Sequence, residues 1–308
     1  MTTALITHAE CLGHETPADH PEQVARLEHV LQALEPLELR RVTAPLAAED
    51  DVLRLHPAAY LQELRDRRPE AGIIQLDADT WMSPGSLAAA FRAVGGALRA
   101  VDLVLSGEVG NAFCATRPPG HHAEAETPMG FCLFGTAALA AQYALDHHGL
   151  ARVAVVDFDV HHGNGTQELL SGERRALVIT SQQVPLWPGT GLAHETGGYD
   201  NVLNLPLAPG SGGAEMRAAW GGAAFERLRA FKPELIVISA GFDAHRDDPL
   251  AQLEWEDEDY SWLTAHLCSL ADELCGGRIV STLEGGYDLN TLARLAKRHV
   301  EELMKAAT

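Results

Sequence analysis

Six short runs of apolar, β-branched residues punctuate the chain, and longer stretches with helical periodicity lie between them. The runs are ALIT near residue 4, NAFCAT from Asn111, RVAVV from Arg152, ALVIT from Ala176, ELIVIS from Glu234 and RIVST from Arg278. They are continuously apolar rather than alternating, the pattern of strands buried on both faces of a parallel sheet. Their alternation with helices predicts an α/β fold with helices covering both faces. The periodic stretches predict helices over Glu22 to Leu34, Pro57 to Arg67, Ser86 to Leu105, Thr136 to His147, Ala214 to Ala230, Asp257 to Leu274 and Leu289 to Met304. The segment from Gln182 to Gly213 is rich in Gly and Pro and is expected to be a long loop. In an open α/β sheet ligands gather at the carboxyl ends of the strands, so chemistry is sought just after each run.

The 308 residues, 46% hydrophobic and 21% charged, suffice for a sizeable core, and no repeat, low-complexity tract or linker divides them. A single domain over residues 1–308 is expected. No apolar run approaches the roughly 20 residues that span a bilayer, and MTTALITHAE lacks the basic start and apolar stretch of a secretory signal. No membrane partner and a cytoplasmic address are therefore expected. Cys11, Cys114, Cys132, Cys268 and Cys275 form no CxxC pair, and so odd and scattered a set argues against a disulfide framework. With 23 Lys and Arg against 43 Asp and Glu the net charge is −20, which disfavours direct nucleic-acid binding and suits a cationic ligand. The acidic run EWEDEDY, Glu254 to Tyr260, is expected to be a solvated helix start.

The run from Arg152 continues into VVDFDVHHGNGTQ, Val155 to Gln167. Asp157, Asp159 and His161 are spaced by two, so on an extended backbone they project to one side. Carboxylates and an imidazole at a strand end suit a zinc-type ion, which at a catalytic centre needs a third protein ligand and one open position. Capping aspartates, or a phosphatase-like DxD with Asp157 as nucleophile, are the alternatives here. RPPGHHA, Arg117 to Ala123, sets two adjacent histidines after a rigid turn, and imidazole suits proton transfer near neutral pH. SAGFDAH, Ser239 to His245, offers Asp243 as the third ligand; His245 comes second, because one more imidazole would close the coordination sphere. LEGGYDL, Leu283 to Leu289, has two glycines that let backbone approach a ligand and presents Tyr287, whose phenol can donate to an oxyanion. The other histidines, among them His29, His147, His148, His194, His266 and His299, are expected at the surface or in loops.

In this order the segments resemble the histone deacetylase family, from HPEQVARL (His20 to Leu27) to LEGGYDL. The resemblance implies the arginase-deacetylase fold, a parallel sheet of about eight strands flanked by helices on both faces, and hydrolysis of an acetyl-amide. By position, Asp159, His161 and Asp243 resemble the family's ligands for one zinc ion per chain. Asp157 and Asn164 resemble the partners that orient His121 and His122, Asn164 in the class II manner. Zinc would lower the pKa of its water to about 7 and polarise the acetyl carbonyl. His122, assisted by His121, would move the proton, and Tyr287 would bond the oxyanion. Gly130 and Phe131 of GFC and Trp187 of PLWPGTG resemble walls of a tunnel that grips an alkyl chain. Leu250 resembles the residue at its mouth, and Arg26 the basic residue of an inner acetate-release cavity. A structural potassium site near Asp157, Asp159, His161 and Thr180 is also implied. The implied substrate is a small acetylated amine or acetyl-lysine, in a peptide, in a protein or free. Two positions depart from the family: Gln182 in TSQQ stands where histidine is commoner, and Leu250 where eukaryotic polyamine deacetylases carry an acidic residue. The second departure tilts the substrate toward acetyl-lysine over acetylpolyamine.

Rival readings lack residues. An arginase-like binuclear site needs D-x-H-x-D, yet Gly163 stands at the second metal's carboxylate and Asp243-Ala244-His245 replaces a DxD. A phosphatase DxD should begin the domain instead of following a His-His loop. A protein that binds acylated amines without cleaving them requires a missing catalytic group, and none of those named is missing.

Overall fold

The computed structural model describes residues 1–307. In chain order its strands are β1 (Thr3–Thr7), β2 (Arg40–Thr43), β3 (Ile74–Gln75), β4 (Trp81–Met82), β5 (Asn111–Cys114), β6 (Val153–Asp157), β7 (Ala176–Gln183), β8 (Val202–Leu207), β9 (Leu235–Ala240) and β10 (Ile279–Leu283). The α-helices are α1 (Val24–Leu34), α2 (Glu49–Val52), α3 (Ala58–Arg67), α4 (Ser86–Leu105), α5 (Thr136–Asp146), α6 (Asn164–Leu170), α7 (Gly213–Ala219), α8 (Phe225–Phe231), α9 (Asp257–Cys275) and α10 (Leu289–Ala306). Strands β3 and β4 form a small antiparallel pair, and the other eight make one sheet in the order β2-β1-β5-β10-β9-β6-β7-β8. Every neighbouring pair in it is parallel.

The central strands are buried on both faces, as their unbroken apolar runs require. On β9, Ile236 and Ile238 enter a core shared with Leu27 and Val30 of α1, Leu263 and Leu267 of α9 and Leu295 and Val300 of α10. Leu235 and Val237 point the opposite way, onto Val94, Ala97 and Val101 of α4 and Ala137 and Ala141 of α5. Each large apolar side chain buried in this manner contributes about 1.5–3 kcal/mol. Helix α9 shows how such an element is bounded. The Glu256 N–H donates to the Asp259 carboxylate at 2.8 Å at its start, and Gly276 at φ 64° closes its last turn.

Where the structure departs from expectation, the cause is local. The segment Gln182 to Gly213 is not all loop: Gln182 and Gln183 complete β7 and VLNLPL forms β8. Pro206 sits in β8 at the sheet's edge, where a missing N–H costs no ladder bond. Strand β2 also escapes an apolar-run criterion, because RRVT is a charged, exposed edge. The helix expected over Ala214 to Ala230 is interrupted by a π turn, Trp220–Ala224, at the Gly221–Gly222 pair, with Trp220 and Phe225 both kept in the core. EWEDEDY is only partly solvated: Trp255 and Tyr260 are core residues, and the buried Asp259 pairs with Arg217 at 2.6 Å. His299 is fully buried on the inner face of α10, its ring nitrogens bonded to Thr264 (2.8 Å) and Ser281 (2.9 Å). Two hydroxyl partners make that burial affordable, and burial moves the ring down to about 3, so it stays neutral. Among the described residues, no helix is long and apolar enough to cross a membrane.

The feature that creates a site is strand order. β9 and β10 come last in the chain yet lie between β5 and β6, so the carboxyl ends of β5, β10, β9 and β6 stand side by side.

Candidate active site

Each of those four strand ends delivers a side chain to one place. His121 and His122 follow β5, Asp159 and His161 follow β6, Asp243 follows β9 and Tyr287 follows β10. The expectation that Asp157, Asp159 and His161 project together holds only in part. β6 ends at Asp157 and the chain bends there, so Asp157 turns to His121 Nδ1 (2.9 Å) while Asp159 and His161 face Asp243.

Candidate ligand atoms of Asp159, His161 and Asp243 all lie within 4.8 Å of one another. His161 Nδ1 stands 3.1 Å from an Asp159 oxygen and 3.2 Å from an Asp243 oxygen. One Nδ1 proton can serve only one of them, so a cation at their centre satisfies the cluster better than a proton does. Burial opposes charge on His161, but its bonds to Asp159 and Asp243 outweigh it and push the ring up to about 10; positive charge is what this pocket asks for. Burial, with Asp159 beside it, moves Asp243 up to about 6. Backbone N–H groups hold the second oxygen of each carboxylate, Gly285 on Asp159 (2.8 Å) and Val160 on Asp243 (2.9 Å). Gly285 must be glycine for this approach, because a Cβ there would press on both carboxylates. Two carboxylates and one imidazole, with further positions open, fit a zinc-type dication.

The two catalytic-candidate histidines lie with ring centres 3.8 Å apart. The Asn164 amide nitrogen donates to Glu124 (2.8 Å), so its oxygen faces His122 Nδ1 at 2.8 Å. Nδ1 of His122 therefore carries the proton, and Nε2 presents a lone pair. Burial, then the positive fields of His121 and His161, hold His122 well below the ordinary histidine range, which keeps that lone pair free. Burial also opposes charge on His121, but Asp159 and Asp157 overcome it and raise that ring well above the usual range.

Above these groups lies a cleft of ≈ 190 Å³ lined by Asp79, His122, Gly130, Phe131, His161, Leu186, Trp187, Leu250 and Tyr287. It brings together the four expected wall and mouth residues, Gly130, Phe131, Trp187 and Leu250. Trp187 stands edge-on to His122 with ring centres 4.7 Å apart, and Phe131 edge-on to Tyr287 at 5.8 Å. Gly130 and Phe131 both have left-handed backbone, φ 55° and 67°. For Phe131 that conformation costs roughly 1–2 kcal/mol. It is held by Asp79, which accepts from the Gly130 N–H (3.1 Å), and by the Thr80 hydroxyl, which accepts from the Phe131 N–H (3.0 Å). Desolvation raises the Tyr287 phenol well above its usual range; Arg26 opposes the shift and Asp243 adds to it, so the hydroxyl remains a donor.

Arg26 does not line the cleft. Its guanidinium lies 4.9 Å from the centre of the Tyr287 ring and is spent on Glu22 (2.9 Å), the Gly286 carbonyl (2.7 Å) and the Glu284 carbonyl (2.5 Å). Thr180, within β7 and in register with Asp157, donates its hydroxyl to Gln182 at 3.0 Å. His245 stays out of the ligand cluster, with Nε2 3.3 Å from Asp257 and Nδ1 accepting from the Asp247 N–H. Sequence reasoning missed Asp79, Leu186 and Glu124, and also Asp248, whose two oxygens accept from the N–H groups of Leu250 (3.0 Å) and Tyr287 (2.7 Å). The one available signal was position: Asp248 lies two residues before Leu250, and Glu124 two after His122.

A family model described as the histone deacetylase domain matches residues 20–303. A histone deacetylase-like amidohydrolase of Pseudomonas aeruginosa is 39% identical over 282 residues, covering 89% of this chain and 73% of that protein. A probable deacetylase of Archaeoglobus fulgidus is 37% identical over 298 residues, covering 94% and 82% respectively. The crystal structure of the HDA15 HD domain superposes with a TM-score of 0.93 at 31% identity, over 99% of this chain and 88% of that one. The eight-stranded sheet and its helical layers are thus the arginase-deacetylase fold. A match that begins in the loop before α1 and ends inside α10 takes in all four strand ends, and the chain belongs to the histone deacetylase family.

Proposed function

We propose that this protein is a zinc-dependent amidohydrolase that removes the acetyl group from N-acetyl-lysine. The observation that carries the reading is the convergence of Asp159, His161 and Asp243 on the floor of a narrow aromatic cleft that also presents His122 and Tyr287. Asp159, His161 and Asp243 would hold the ion, which when bound supplies a Lewis acid for the acetyl carbonyl and acidifies water. Phe131 and Trp187 bind the unbranched alkyl chain and exclude bulk water from the amide. His122 Nε2 takes the proton of the attacking water and returns it to the leaving amine, while Asp157 and Asn164 fix the two rings. Tyr287 donates its hydroxyl to the oxyanion that forms on the former carbonyl oxygen. A structural potassium ion beside Asp157, Asp159, His161 and Thr180 belongs to the same reading, supported by the family resemblance.

The test is hydrolysis of a fluorogenic acetyl-lysine amide with and without a chelator, with elemental analysis of the purified protein. One transition-metal ion per chain is expected, with activity lost on chelation and restored by zinc, and Asp159→Ala should lose metal and activity together. Activity that survives complete chelation, or two such ions per chain, would overturn the reading, the latter in favour of a binuclear arginase-like centre.

A further inference from the structure

We propose that Glu284 is the positioning residue for the His121–His122 pair. Its side chain does not line the cleft, yet it is buried, 1% exposed, and both of its carboxyl oxygens are hydrogen-bonded. One carboxylate oxygen accepts from the backbone N–H of Gly120 (2.7 Å) and of His121 (3.2 Å). The other accepts from the Ser239 hydroxyl (3.1 Å) and lies 3.3 Å from the Thr282 hydroxyl, whose one proton is shared with the Ile238 carbonyl, also at 3.3 Å. One side chain thereby ties the turn after β5 to the ends of β9 and β10. Asp157 and Asn164 act on the rings, fixing how each turns about its side-chain bonds. Glu284 acts on the backbone from which both rings hang, a different degree of freedom that neither of the others controls.

Hydrogen bonds in a dry interior are strong and geometrically strict, so this side chain sets the turn's height relative to the strands that carry Asp243 and Tyr287. Its own backbone is fixed as well, by its N–H on the Ala240 carbonyl (2.9 Å) and its carbonyl on Arg26. Misplacing a reacting group by about 1 Å can cost on the order of 10²-fold in rate, while a chain-gripping cleft tolerates such a shift at a group it does not grip. Glu284 should therefore act on turnover and leave substrate binding and metal alone. The inference rests on the reading of His121 and His122 as the proton-transfer pair.

The experiment compares Glu284→Asp and Glu284→Gln, with His122→Ala as reference, by kcat, KM, bound metal and Tm. Aspartate withdraws the carboxylate by one methylene and cannot reach the Gly120 and His121 N–H groups and the Ser239 hydroxyl together. Its kcat should fall on the order of 10-fold to 10²-fold, with KM, one metal per chain and Tm close to those of the parent. Glutamine keeps the reach, since its amide oxygen accepts both N–H groups and its NH₂ donates to Ser239, and should recover most of that loss. A normal kcat in Glu284→Asp overturns the proposal, and so does a defect explained by lost metal or raised KM. Glu284→Gln as slow as Glu284→Asp with metal intact also overturns it, because the effect would then lie in charge and not position. If Glu284→Asp fails to fold, Ser239→Ala, which removes the bond that ties Glu284 to β9, should lower kcat about 2-fold to 5-fold with KM and metal unchanged; no change would sink the idea. Full turnover in His122→Ala would defeat the proposed reaction itself, whereas an inactive His122→Ala beside a normal Glu284→Asp defeats the positioning role alone.

Discussion

At the scale of single residues, the site separates groups that hold charge from groups that meet it only during reaction. Tyr287 belongs to the second kind, since its ring borders the cleft and, among the described residues, its hydroxyl makes no bond to the ligand cluster. Tyr287→Phe should accordingly keep metal content and Tm while kcat falls on the order of 10²-fold to 10³-fold, the cost of deleting one oxyanion donor. Steady-state kinetics on a metal-replete sample checks this, and near-normal turnover would remove Tyr287 from the chemistry. Residues of this kind are legible in a sequence because they cluster in short polar segments after apolar strands. Their supports are less so. Glu284 reaches Gly120 across 164 positions and Asn164 reaches Glu124 across 40, and spacing says nothing about contacts that only the folded sheet creates.

At the scale of elements, legibility follows burial. The six runs that announced themselves became β1, β5, β6, β7, β9 and β10, and all but β1 and β7 are the four neighbours that carry the site. β2 and β8 stayed hidden because an edge strand needs neither apolar face nor unbroken N–H ladder, as Arg40, Arg41 and Pro206 attest. His299 misled for the converse reason: a polar residue is buried here because α9 and β10 each offer it a hydroxyl. The loop after β10 supplies a prediction at this scale. Gly285→Ala inserts a methyl between that loop and the carboxylates of Asp159 and Asp243. The loop must retreat and take with it the Gly285 N–H that holds Asp159. Metal affinity should fall about 10-fold to 100-fold, as for other partners of metal ligands, while far-UV circular dichroism stays unchanged; competition titration against a chromophoric chelator measures it.

For the whole molecule, the net charge of −20 and the cleft's geometry bear on the substrate together. The negative field favours any cationic amine approaching from solvent, so it does not by itself choose between acetyl-lysine and acetylpolyamine. The choice falls to the mouth, where Leu250 offers no carboxylate to a second ammonium and the Asp79 carboxylate that lines the cleft is engaged by the Gly130 N–H. We expect kcat/KM for acetyl-lysine substrates to exceed that for acetylspermidine, and Leu250→Glu to shift the ratio toward the polyamine on the order of 10-fold. A strong polyamine preference in the unaltered protein would assign specificity to another loop. The placement of β9 and β10 between β5 and β6 also matters during synthesis. A nascent chain that has emerged only through β8 owns both histidines, Asp159 and His161, but the slot where two strands belong is empty and Asp243 and Tyr287 do not yet exist. The centre can therefore close only after the segment carrying β9 and β10 has left the ribosome and inserted between β5 and β6, so a chain made only through β8 cannot assemble it.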